Sequence, residues 1–213
     1  MPPTSDMLRS SDAVAMTRAI ADPAVTAKRT LARCREARLP THLRVCRHNL
    51  DAARALRAAG VPSLNEVNGV IAQIERARKE RIDERSALLI ISSELDKYGR
   101  EVREHTANLV VGLVSVVVDT EVDDIVGLPT VCMSPLVVSL AMTRIVRTFR
   151  FFPTPAELRE ACSDVSVRLN ELRDWLTRAR DTIEQIEEII VEFGDPDEIP
   201  WFDRSGLSDE IEV

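Results

Sequence analysis

Aromatic side chains make up only 4% of the 213 residues, so whatever core this chain builds is aliphatic. Seven glycines leave little backbone for a phosphate cradle, and neither a Gly-x-x-x-x-Gly-Lys-[Ser/Thr] loop nor a Gly-x-Gly-x-x-Gly turn occurs, which argues against an ATPase. The four cysteines, Cys34, Cys46, Cys132 and Cys162, lie far apart and follow no disulfide-scaffold spacing, so reduced thiols in a cytoplasmic protein are expected. The most apolar run, Leu109 to Val118, is about ten residues long against the roughly 20 that cross a bilayer, and it reads as core with no membrane partner. The opening Met-Pro-Pro-Thr-Ser-Asp lacks the basic-then-apolar build of a signal peptide, so no secretion is expected. His42, Cys46 and His48 are close in sequence but have no second clustered pair, and His105 stands without a nucleophile placed by any motif. No metal, cofactor or catalytic residue is expected, and the chain reads as a non-enzyme.

What is present is helix. Hydrophobic residues are 45% of the chain, and the formal net charge of −7 is unevenly placed. Lys28 to Arg57 holds nine basic residues against Glu36 and Asp51, whereas Glu184 to Val213 holds eleven acids against Arg204 alone. The reading is an all-α protein. Residues 1–22 form a loose N-terminus, with a helical turn or two around Ala13 to Ile20. Residues 23–60 form a basic helical hairpin, Ala24 to Ala37 and Thr41 to Ala59, broken at Pro40 and ended by Gly60. Residues 61–85 form a helix opened by Ser63 and Glu66, with a seam of Leu64, Val67, Ile71 and Ile74, running into a charged helical connector at Glu75 to Arg85. Residues 86–160 form a compact helical module. Within it, Gly99 marks a break, Thr106 to Val118 fits helix or strand and is taken as helix from its neighbours, and Ser134-Pro135 opens another helix.

Residues 156–193 carry the cleanest periodicity. Leu158, Cys162, Val165, Leu169, Leu172, Leu176, Ala179, Ile183, Ile186 and Ile190 alternate in spacings of four and three, as in a coiled coil or a helix packed along one partner. Such a seam can close on itself in a homodimer through 158–190 or fold back on Leu64 to Ile74 of the same chain. Residues 194–213, with Trp201 and Phe202 among carboxylates, read as an acidic disordered tail. In the basic hairpin, Arg33, Arg35, Arg44, Arg47 and Arg54 are candidates for contact with DNA phosphates. The plainer alternatives are a solvated helix face, or pairing with the acidic tail of the same chain.

The sharpest local feature is the elbow at Thr148 to Cys162. Phe149, Phe151 and Phe152 crowd before Pro153, and Thr154, Pro155 and Glu157 form a capping box that opens a helix. Leu109-Val-Val-Gly-Leu-Val, then Arg150-Phe-Phe-Pro-Thr-Pro-Ala-Glu-Leu and Arg159-Glu-Ala-Cys, resembles phage and prophage helical proteins of the replicative-helicase loader and inhibitor type. The resemblance covers about a quarter of the chain and rests on one short motif. It implies a small all-helical module that touches a hexameric replicative helicase and carries no ATPase of its own. Phe151, Phe152, Pro153, Thr154 and Glu157 are then the candidate partner-binding residues, and the architectural alternative has the aromatics plug the core while Thr154 and Glu157 cap the helix. The expected function is a non-enzymatic adaptor in phage-type DNA replication. A self-assembling coiled-coil protein is the alternative, and a DNA-binding regulator acting through the basic hairpin is the third.

Overall fold

A computed structural model describes residues 10–95, 103–118, 133–148 and 152–194, and they form an all-α protein. The helices are α1 (Ser10–Glu36), α2 (Leu50–Ala58), α3 (Leu64–Lys79), α4 (Glu84–Leu95), α5 (Arg103–Val118), α6 (Pro135–Thr148) and α7 (Pro155–Phe193), with a 3-10 turn at Arg47–Asn49 before α2. No described helix is long and apolar enough to cross a membrane. The readings that fall on residues 1–9, Gly99, Phe149, Phe151, the side chain of His105 and the acidic segment 195–213 lie outside the described residues.

The chain divides into two compact units. The first gathers residues up to Lys28 with Gly69–Asp174, and the second gathers Arg29–Asn68 with residues from Trp175 onward. In the first unit, α4 packs on α5 and α6. Its core joins Ile90, Ile91, Leu113, Val117, Leu136, Met142 and Ile145 with Leu158, Cys162, Val165 and Leu169 from the start of α7. The valine-rich stretch is a helix, because Val110, Leu113, Val114 and Val117 fall at helical spacing and are buried together. Ser134 opens α6 as expected, its Oγ accepting the Val137 N–H at 3.3 Å. Leu136 through Ser139 are all buried, so α6 is enclosed on more than one face.

In the second unit the far end of α7 supplies Ile186, Ile189 and Ile190. Ala53 is buried against them, and Leu39, Leu43, Val45, Leu50, Leu56 and Phe193 pack around the cluster. Every residue of the four-three seam is buried except the partly covered Leu172. The seam is therefore covered within the single chain.

Three local expectations are corrected. In place of a turn or two around Ala13 to Ile20 followed by a separate helix from Ala24, α1 is one helix from Ser10 that continues through Pro23, although proline removes the N–H that the Ala19 carbonyl would accept. Packing holds it there: Ala24 is buried and Ile20 lies against the first unit's core. Thr41 to Cys46 is not helical, because α7 supplies its hydrogen-bond partners. The Leu43 N–H donates to Gln185 Oε1 at 2.8 Å, and the Thr182 hydroxyl donates to the Thr41 carbonyl at 3.2 Å. The charged connector is not one helix either. It breaks after Lys79, where Ile82 is buried and donates its N–H to the Met133 carbonyl at 3.1 Å. Asp83 then opens α4, accepting the Ser86 N–H and hydroxyl, each at 2.8 Å. Those two bonds hold the Asp83 carboxyl below the usual carboxylate range.

Candidate functional site

The elbow is built from a tight local network. Glu157 Oε2 accepts the Thr154 N–H at 2.7 Å and the Thr154 hydroxyl at 2.9 Å, while Thr154 Oγ1 accepts the Glu157 N–H at 3.3 Å. This reciprocal box satisfies two of the donors that a helix start leaves free. The Thr154 N–H, and after it the hydroxyl, hold the Glu157 carboxyl below its usual range. Phe152 is half-buried and packs on the first unit's core, and Pro153 is buried. Phe152 thus occupies the plugging place that the architectural alternative gives it. The structure leaves Thr154, Pro155, Ala156, Arg159 and Glu160 exposed on the first turns of α7. Arg144 and Asp164 join α6 to α7 by an ion pair at 2.7 Å, with half or nearly half of each side chain in solvent, so it is worth little on its own.

The five arginines named from the sequence all fall in the second unit, where they have different surroundings. Arg33 is paired with Glu66 and donates to the Gly60 carbonyl at 3.3 Å. Arg54 sits 3.5 Å from Asp51. Arg35, Arg44 and Arg47 are exposed, with no acidic partner among the described residues. The segment that presents Arg44 is extended, so alternate side chains point to opposite sides. Leu43 and Val45 pack inward on the α7 cluster, and His42 and Arg44 face solvent.

His42 Nδ1 meets Gln185 Nε2 at 3.1 Å, and among the described residues no three His, Cys, Asp or Glu side chains gather as a metal site. Gln185 and Thr182 position the arginine segment and went unrecognised in the sequence, because nothing local signals a partner about 140 residues away. Trp175, half exposed on α7 beneath the Arg178 guanidinium at 5.5 Å, was missed for the same lack of a motif. In the first unit a groove of about 340 Å³ opens beside the Pro23 region of α1, lined by Met16, Ala19, Ile20, Pro23, Ala77 and Leu136 among others. No protein-family model, curated protein or solved structure matches the chain.

Proposed function

We propose that this chain is a non-enzymatic adaptor in phage-type DNA replication that binds a replicative helicase through the surface of its capped elbow. The observation that carries the reading is the elbow itself. The Phe-Phe-Pro-Thr-Pro-Ala-Glu stretch resembles helicase loader and inhibitor proteins, and its caps and plugs hold an exposed helix start on a rigid core. Phe152 and Pro153 serve in this reading as supports. The partner-facing residues are Pro155, Ala156, Arg159 and Glu160. Burial of the four-three seam within the chain favours this reading over a coiled coil that assembles through 158–190, which would need those side chains free.

The test is size-exclusion chromatography of the full chain mixed with the replicative helicase of its source organism. Co-elution that is lost in an Ala156→Arg/Glu160→Arg variant of unchanged circular dichroism is the expected result. Absence of a complex with the unmodified chain overturns the reading.

A further inference from the structure

Pro23 leaves a gap in the hydrogen-bond ladder of α1, and the gap lies on the groove of the first unit. The Ala19 carbonyl would accept the N–H of residue 23, and proline has none. Met16, Ala19, Ile20 and Pro23, spaced by threes and fours, share one face of α1, and all four line the groove. The carbonyl and its missing donor therefore both belong to the groove wall. A carbonyl without its helical donor takes one from water or from a ligand.

The other polar groups on the wall are acceptors as well. Ser86 lines the groove from the first turn of α4, but its hydroxyl donates to Asp83 Oδ2 and its N–H to Asp83 Oδ1, each at 2.8 Å. Toward a ligand the Ser86 oxygen can only accept. Glu80, just past the end of α3, adds an exposed carboxylate with no ion-pair partner among the described residues. Pro135, at the first position of α6, has no N–H to offer. The remaining lining side chains, Ala77 and Leu136 among them, are apolar. No side chain on the wall offers a free hydrogen-bond donor, and the only formal charge it carries is negative.

We propose that this groove binds a small aliphatic amine in its ammonium form. An ammonium group has three donors and no acceptor, which matches in number the Ala19 carbonyl, the Ser86 oxygen and the Glu80 carboxylate. Its alkyl chain lies against Ile20, Leu136 and the exposed Met16, whose unbranched thioether adapts to an irregular guest. A volume of about 340 Å³ is near the lower end of ligand sites, roughly 300–1,000 Å³, and selects a short chain. None of the lining residues belongs to the elbow surface proposed for the helicase.

The experiment titrates hexylammonium into the full chain carrying ¹³C-methyl methionine, at neutral pH, where an alkylamine is charged. Met16→Leu assigns the reporting resonance. A saturable shift of the Met16 methyl is expected, with the fully buried Met142 unmoved. Hexanoate should bind at least about tenfold more weakly, because its carboxylate meets only acceptors. Glu80→Gln should weaken hexylammonium about threefold, as fits an exposed charge. Pro23→Ala gives the Ala19 carbonyl its helical donor back, and should also weaken hexylammonium about threefold while changing hexanol by less than twofold. Circular dichroism checks that both variants keep their helix. No saturable shift, equal binding of hexanoate, or affinity unchanged in both variants overturns the proposal. So does tighter binding of Nα-acetyl-lysine amide than of hexylammonium, which would give the groove to a lysine side chain of a partner protein.

Discussion

Gln185 and Leu43 are joined across 142 residues of sequence: the carboxamide oxygen accepts the Leu43 backbone N–H at 2.8 Å, and its nitrogen meets His42 Nδ1 at 3.1 Å. One α7 side chain thereby takes up one backbone donor and one ring nitrogen of the non-helical Thr41 to Cys46 segment. Gln185→Leu leaves the half-buried Leu43 N–H without its partner and should cost about 1–3 kcal/mol. Urea unfolding checks this, with a lowered midpoint at unchanged slope. The exposed neighbour Glu184→Gln should move the midpoint by under roughly 0.5 kcal/mol.

The capping box predicts a pH signature. Thr154→Ala should destabilise the chain by about 1 kcal/mol, the usual worth of an N-cap hydroxyl. Glu157 has a folded pKa below its unfolded value of 4.5, so its contribution is present above that value and is lost as pH falls through the folded pKa. The stability difference between the unmodified chain and Glu157→Gln should therefore be constant near neutral pH and shrink below about pH 4.5. A difference that grows on acidification contradicts the assignment.

Arg38 and Gly60 should respond in opposite directions. Arg38 holds φ 54° at the end of α1, where the Leu39 N–H reaches the Cys34 carbonyl at 2.9 Å and the Arg38 N–H reaches that of Arg35 at 2.9 Å. This is a Schellman turn closed by a residue with a Cβ in the left-handed region. Arg38→Gly should stabilise by up to about 1 kcal/mol, and Gly60→Ala, at φ 82° with open space around it, should destabilise by a similar amount. Thermal melts of the two variants check the signs.

The thiols should separate by burial. Cys162 is fully buried, and desolvation pushes its pKa up to about 12. Burial also raises Cys34, with the nearby Arg33 acting against it. Only a thiolate attacks a disulfide reagent, so peptide mapping after brief treatment near pH 8 should find Cys46, which is half-buried, labelled ahead of Cys34 and Cys162. Rapid labelling of Cys162 in the folded chain contradicts its placement in the core.

What the sequence made legible is local chemistry. Thr154 with Glu157 and Ser134 with Pro135 announce helix starts within a few positions, and the four-three seam of α7 declares its buried face without reference to anything else. What it concealed is non-local. Thr41 to Cys46 has helix-compatible residues, and only Thr182 and Gln185 on α7 make the extended path better. Helix across Pro23 depends on what Ile20 and Ala24 bury. Asp83 carried a readable signal, an acid three positions before Ser86, that a run of charges hid.

The candidate sites were legible only as composition. Phe152 and Pro153 are equally apolar as surface anchors or as plugs, and nothing in the sequence shows that Phe152 meets the first unit's core. Arg33 and Arg54 look like Arg44 and Arg47 in sequence, but Glu66 and Asp51 lie beside the first two and not the others.

The most direct measurement is the solution mass of the full chain alone, by light scattering over a range of micromolar concentrations. A seam covered within the chain and a function carried by outer surfaces predict the mass of one chain, 23.8 kDa, at every concentration. A stable mass of twice that value would contradict the account and favour a protein that assembles through α7.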